Sequence, residues 1–338
     1  MNFNASDAHV HHRLHLNESD SDNLYVFRNE FCDEFKRIST YPDPGNTELI
    51  NAISNHYQTS PDQIVLGNGV DEIILLLCLT LLKNKKTIIT SMSTFPGYET
   101  AARVCGGKVI HTELSSDMKC CIDSFVKNVN QDTAIAFLCN PHNPTGSVLT
   151  RDEVISFIEK MNELNVIPVI DEAYIQFSDE GSHSVLSYVA NVGNAIVLRT
   201  FSKAYGLAGL RVGFALGPEQ IIRGIAETAL ALPFRINRFA QKMVPIVLQN
   251  DEIFSKNTLK TKGYIQYIQS QFESKSIQFI PSSTNFICFK PYQGSEEYIE
   301  SAAAAGAMMR DCGLFGLPGW VRASISSQQD ADLLLSLT

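Results

Sequence analysis

No stretch of this 338-residue chain has eighteen consecutive apolar side chains. The longest candidate, Ile73 to Leu82, is interrupted by Cys78 and Thr80 and is too short to cross a bilayer. Basic residues are in the minority: 27 Lys and Arg against 36 Asp and Glu leave a formal net charge of −9. That balance excludes a general affinity for nucleic acid or for an anionic membrane surface. The eight cysteines are scattered and no Cys-x-x-Cys occurs, so neither a zinc site nor a disulfide framework is indicated. Reduced thiols in the cytoplasm fit this usage. The start of the chain, Met1 to Asp22, is polar and lacks the apolar core of a signal peptide. His9, His11, His12 and His15 cluster there without cysteine or a second ligand set, so a polar arm is expected rather than a metal site. There is no internal repeat and no low-complexity linker.

What remains is an ordinary globular composition, 44% hydrophobic and 19% charged, with ample core and a length that suggests two domains. Short apolar runs alternate with longer amphipathic ones, which argues for α/β architecture. Strands are expected at Thr87–Thr90, Lys108–His111, Ala134–Leu138, Ile167–Ile170, Ala195–Leu198 and Arg211–Leu216. Their β-branched, near-continuous apolar content suits a mostly parallel sheet covered on both faces. Asp71–Leu82 reads as a deeply buried helix. Arg151–Leu164 reads as an amphipathic helix opened by a capping box, Thr150 with Glu153 three residues on. After Asn237 the pattern changes. Polar helical stretches (Phe239–Gln249, Asp251–Glu273) lead to a short strand at Asn285–Lys290, a helix near Glu296–Ala305 and a last strand at Val321–Ser324. A smaller α+β unit is expected there.

Three segments carry chemistry. Lys203 lies in Leu198-Arg199-Thr200-Phe201-Ser202-Lys203-Ala204-Tyr205-Gly206, with Arg211 eight positions on. A surface lysine needs no hydroxyls before it and no guanidinium after it. A lysine that forms a Schiff base with a phosphorylated cofactor needs both. Upstream, Asn140-Pro141-His142-Asn143-Pro144-Thr145-Gly146 offers an amide on a rigid turn. Val169-Ile170-Asp171-Glu172-Ala173-Tyr174 places a carboxylate and a phenol at the end of an apolar strand. A buried carboxylate needs a partner, and a protonated pyridine nitrogen supplies one. Tyr174 and Asn143 are suited to bond the phenolic oxygen of the same ring. A phosphate also needs a cradle. Gly67-Asn68-Gly69-Val70-Asp71-Glu72 leads into a buried helix, whose free N–H groups attract an anion that glycines allow to approach. The third position of a dinucleotide fingerprint is Glu72 rather than glycine, so a phosphate-binding helix start is the better reading. Together these segments read as a pyridoxal 5'-phosphate site.

In this order the three motifs resemble those of the fold-type I aminotransferases of class I/II, and within them the histidinol-phosphate aminotransferase branch. The resemblance runs from about Leu14 to Arg322. It implies an N-terminal arm (about 1–39) packed on the small domain, a large cofactor domain (about 40–236) with a seven-stranded type of sheet, and a small C-terminal domain (237–338). It implies that Lys203, Asp171 and Tyr174 are the catalytic set. Thr200, Ser202 and Arg211 would complete the phosphate cradle with Gly69, Val70 and Asp71. Phe95 matches the aromatic that stacks on the cofactor ring. Tyr41, in Thr40-Tyr41-Pro42-Asp43, matches a tyrosine that reaches the cofactor phosphate of a neighbouring subunit, so a homodimer with shared sites is implied. Arg322 matches the arginine that binds the substrate carboxylate. Arg310, Asn17 and Glu18 match further substrate-lining positions.

The implied activity is a ping-pong transamination between an amino donor and a 2-oxo acid. A decarboxylase similar to threonine-phosphate decarboxylase shares the Lys, Asp, Tyr and Arg set and is the nearest alternative. A non-catalytic cofactor-binding module is a more distant one. The chain departs from the branch where Glu18 is followed by Ser19-Asp20-Ser21-Asp22. That acidic run is expected to disfavour a phosphorylated donor if it lines the pocket.

Overall fold

Seven strands form one sheet in the computed structural model, which describes residues 12–19 and 22–338. In spatial order they are Ile64–Gly67, Gly213–Leu216, Ile196–Thr200, Ile167–Asp171, Thr133–Cys139, Thr87–Ser91 and Lys108–Thr112. The last five run parallel, Gly213–Leu216 is antiparallel to its neighbours, and Ile64–Gly67 closes the far edge. The interior strands are buried nearly throughout, as their unbroken apolar character demands. Lys108–Thr112 is an edge strand, which is why it tolerates an exposed Lys108 and His111.

Side chains alternate between two cores. Ala136, Leu138, Ile170, Val197 and Phe214 face the helices Thr47–Tyr57, Arg151–Glu163 and Arg238–Gln249. Ile135, Phe137, Val169, Ile196 and Leu198 face Val70–Leu81, Gly97–Val104 and Glu219–Ala229. The capping box at Thr150 is present: its hydroxyl accepts from the Glu153 N–H at 3.3 Å, and Glu153 accepts from the Thr150 N–H at 2.7 Å.

The strands of this sheet differ from expectation at two places. The strand Ile64–Gly67 was not foreseen; four residues between a prolyl turn and a glycine loop give too short a periodic signal. The strand expected from Arg211 begins at Gly213, because Arg211 is left-handed with φ +50°.

The second sheet has four antiparallel strands in the order Arg310–Asp311, Val321–Ser324, Phe286–Lys290 and Gln278–Ile280. Its core joins Ile287, Phe289, Val321 and Ala323 to Ile265, Ile268 and Phe272 of the long helix Asp251–Ser274. Leu14 of the arm is buried in the same core. His12–Arg13 pairs in parallel with Ala307–Met308, and the Ser324 N–H donates to the Leu14 carbonyl at 2.8 Å. The helix Arg238–Gln249 instead sends Ala240, Met243, Val244 and Val247 into the core of the large sheet. Amphipathic spacing identifies a buried stripe but not the sheet that covers it. Among the described residues no helix is long and apolar enough to cross a membrane. All eight cysteines are free thiols.

Candidate active site

The parallel strands Thr87–Ser91, Thr133–Cys139, Ile167–Asp171 and Ile196–Thr200 share a direction, so their carboxyl ends open on one edge of the sheet. Ligands of open α/β sheets gather at that edge. The chain leaves it through the Ser93–Tyr98 segment, the Asn140–Gly146 turn, Asp171–Tyr174 and Thr200–Lys203.

Asp171 ends its strand and is buried. Its Oδ1 accepts from the Ala173 N–H at 3.0 Å and its Oδ2 from the Tyr98 hydroxyl at 2.6 Å. Burial pushes its carboxyl up to about 6, with those two hydrogen bonds opposing. Lys203 donates to the Leu16 carbonyl at 3.0 Å. Burial, then the guanidiniums of Arg322 and Arg211, bring its amine down to about 8, against the pull of Glu18 and Asp71. An amine so lowered has an accessible neutral form near physiological pH.

Tyr174 is buried edge-on to Phe286, and its hydroxyl accepts from the Asn17 side chain at 2.9 Å. Burial pushes the phenol up to about 12, so it remains protonated. Asn143 accepts from Arg322 at 2.5 Å, and Arg322 also donates to the His15 carbonyl at 2.8 Å. Arg322 is buried between the rings of Phe286 and Phe315, at 5.2 and 5.6 Å. Arg310 stands opposite Arg322 in the antiparallel register, and burial lowers its guanidinium. Glu18 forms an ion pair with Arg13 at 3.3 Å.

The residues expected to form a phosphate cradle lie close together. Gly69 precedes the helix Val70–Leu81 and supplies no side-chain cap, which leaves the first N–H groups of that helix open. Gly69 has φ +78°, and a Cβ there would lie 2.5 Å from the Arg211 guanidinium. Arg211 is held by Asp71 at 2.9 Å and reaches Ser202 at 3.5 Å, while the Ser202 N–H donates to Thr200 at 3.1 Å. Phe95 lies edge-on to Tyr98 at 5.5 Å.

Tyr41 is different. Its ring is 78% exposed and stacks on Phe234 at 4.5 Å, and its carbonyl accepts from Arg238 at 2.7 Å. Within one chain it faces outward. Of the histidine cluster, His9 and His11 lie outside the described residues, and His12 meets Asp330 at 3.1 Å. Among the described residues no group of three acidic, histidine or cysteine side chains is placed to hold a metal ion.

Sequence reasoning overlooked Tyr98, the buried ion pair between Glu172 and Arg199 (2.8 Å), and the arm carbonyls of His15 and Leu16. Glu172 and Arg199 each adjoin a recognised motif residue, and that adjacency was their only signal. Main-chain acceptors leave none.

A lysine with a lowered amine, a buried aspartate at the next strand end and a glycine-opened helix start fit pyridoxal 5'-phosphate. On this sheet they define a fold-type I pyridoxal-phosphate-dependent transferase. The profile of the aminotransferase class I and II family matches residues 14–336, and the chain belongs to that family. It is 31% identical over 293 residues to histidinol-phosphate aminotransferase 2 of Carboxydothermus hydrogenoformans, covering 86% of this chain and 80% of that one. It is 35% identical over 299 residues to histidinol-phosphate aminotransferase 2 of Bacillus cereus, with 88% and 79% covered. The fold is shared with the histidinol-phosphate aminotransferase of Sinorhizobium meliloti in complex with pyridoxal-5'-phosphate (TM-score 0.87, 24% identity, 97% and 89% covered). It is shared equally with the Clostridium acetobutylicum histidinol-phosphate aminotransferase (TM-score 0.87, 23% identity, 96% and 97% covered). The protein is a pyridoxal-phosphate-dependent aminotransferase, which moves an amino group between an amino donor and a 2-oxo acid.

Proposed function

We propose that the amino donor carries an anion beside its amine-bearing carbon, and that histidinol phosphate is the favoured donor. The observation that carries this reading is the pair Arg310 and Arg322. They lie directly opposite each other in the antiparallel register, and both guanidiniums are lowered by burial. Among the described residues neither forms an ion pair with a carboxylate. Two guanidiniums suit a dianion better than a carboxylate. Histidinol phosphate bears its phosphate ester one methylene from the amine-bearing carbon, on the side where an amino acid has its carboxylate. The relatives named above support the same donor. The acidic run pointed the other way, but Glu18 is already compensated by Arg13. Asp20 and Ser21 of that run lie outside the described residues.

When bound, the cofactor supplies an electron sink for the carbanion at the substrate carbon. In this reading Lys203 holds the cofactor through its amine and afterwards moves the proton at the substrate carbon. Asp171 faces the ring nitrogen. Tyr174 and Asn143 face the phenolic oxygen, and Phe95 covers the ring. Gly69, Val70, Asp71, Thr200, Ser202 and Arg211 form the phosphate cradle. Asn17 and Glu18 close the substrate side. Tyr41 serves the partner's cradle in a homodimer, which accounts for an exposed aromatic ring on a backbone fixed by Arg238. The start of the arm, His12–Leu14, and the small sheet act as one unit. The rest of the expected arm packs on the large core instead of the small domain, with Phe27 buried there and Glu34 paired with Arg238. The helix Asp251–Ser274, with Phe254 in one core and Ile265 in the other, joins the two. Scattered free thiols suit the cytoplasm.

The test is a half-reaction screen with histidinol phosphate, histidinol, and aromatic and basic amino acids, following loss of the cofactor's visible band. Histidinol phosphate should exceed histidinol in kcat/KM by about 10²-fold, as expected when a site built for an ionic contact loses it. Equal use of the two would overturn the proposal and favour a neutral or cationic donor.

A further inference from the structure

We infer that Tyr98 is the positioning residue that fixes the aim and the ionisation of Asp171, an inference that rests on the reading that Asp171 faces the cofactor's ring nitrogen. The phenol donates to Oδ2 at 2.6 Å, and the other carboxylate oxygen accepts the Ala173 N–H at 3.0 Å. Among the described residues Tyr98 is thus the one side chain that donates to Asp171. Among the described residues, other ionisable groups that act on or feel the carboxylate are Asp71 from the helix Val70–Leu81, Glu172 and Tyr174 from its own segment, and Cys139 from the adjacent strand. Each of them opposes a negative charge or is neutral. Burial opposes it as well. A protonated Asp171 would be a poor partner for a protonated ring nitrogen. Whatever keeps the carboxylate ionised therefore controls the electron sink.

The phenol is suited to that task because it does not itself titrate. Burial, together with Asp171, raises it well above the ordinary range, so it is always a donor. Its ring is also closely packed. It is fully buried and stacks on Phe137 at 4.8 Å with planes 10° apart. On its other side Phe95 meets it edge-on at 5.5 Å. Gly97 lies between the two aromatics in sequence, and a Cβ there would fall 2.3 Å from the Phe95 ring. Phe95, Gly97 and Tyr98 form one rigid block at the start of the helix Gly97–Val104. The aromatic proposed to cover the ring and the aim of the acid beneath it are set together.

Tyr98→Phe keeps the ring and its stacking and removes only the donor. Wild type, Tyr98→Phe and Asp171→Asn holoenzymes would be compared by the pH profile of the half-reaction and by the rate of cofactor loss on dilution. Tyr98→Phe is expected to move the acid limb up by about one pH unit and to speed cofactor loss by about tenfold, the scale of one hydrogen bond to a buried charge. A purely structural tyrosine would lower the melting temperature and leave the acid limb in place. A fluorinated tyrosine at position 98, a stronger donor, should move the limb downward, and it decides the matter if Tyr98→Phe fails to fold. An unmoved limb beside a severely impaired Asp171→Asn overturns the role of Tyr98 alone. A near-normal Asp171→Asn overturns the placement of Asp171 and this inference with it.

Discussion

On one side of the cleft, Cys139, Asp171 and Thr200 end three neighbouring strands of a parallel sheet, and each is followed at once by a short functional turn. On the other side, Arg310 and Arg322 stand on a small antiparallel sheet, while the His15 and Leu16 carbonyls arrive from the opposite end of the chain. The first wall is built from contiguous motifs. The second is gathered from segments some 300 residues apart, since the His15 carbonyl accepts from the Arg322 guanidinium across 307 positions. The first wall draws its rigidity from two buried cores. The second has a core of its own, and hydrogen bonds from the arm to the sheet add to it. If the proposed roles hold, the chemistry sits on the wall built from contiguous motifs and donor recognition on the wall gathered from distant segments.

The largest test of this contrast is Lys203→Ala. Turnover should be abolished with the fold retained, and borohydride reduction of wild type followed by peptide mapping should label Lys203; labelling of another lysine would reject the assignment. Mixing Lys203→Ala with Tyr41→Phe protomers extends the test to the dimer. Hybrids carry one site with both native residues, so activity should return on subunit exchange if Tyr41 acts in trans.

Arg322→Ala probes the second wall. Losing a buried guanidinium that also holds Asn143 and the His15 carbonyl should reduce kcat/KM by about 10³-fold, against about tenfold for Arg310→Ala. The Arg310 effect should be larger with a phosphorylated donor than with a carboxylate donor. Steady-state kinetics of both variants with both donors would show it. Equal losses for the two donors would mean that Arg310 does not face the extra charge.

The smallest effect concerns stability. The Asp171 carboxyl is raised from 3.8 to about 6 by burial, so its favourable contribution to the cofactor-free fold is complete below pH 3.8 and is lost as pH rises through 6. Cofactor-free Asp171→Asn should therefore gain on wild type between pH 4 and 7, by about 1–3 kcal/mol, and then level off. Urea unfolding at pH 4.5 and 7.5 would measure it. A gain of equal size at both pH values would show that the carboxyl titrates normally.

The motif-bearing wall was largely legible because strand, turn and functional residue are continuous there. A buried parallel strand is an unbroken apolar run, and Asp171 closes one. The helix Arg151–Glu163 announced itself through its capping box. Ile64–Gly67 did not, since four residues beside a glycine loop have no period to read.

By itself the sequence determined local matters: which segments are strands, where glycine opens a helix start, and which lysine, aspartate and tyrosine stand at strand ends. These follow from propensities and spacings that act within a few residues of one another. Only the tertiary structure decided that Tyr98 holds Asp171, that Arg310 and Arg322 face each other, that the helix Arg238–Gln249 serves the large core, and that arm carbonyls meet Lys203 and Arg322. The reason is physical. Hydrogen bonds and buried charges act over a few ångströms in space, and the chain's packing alone sets which distant residues come that close.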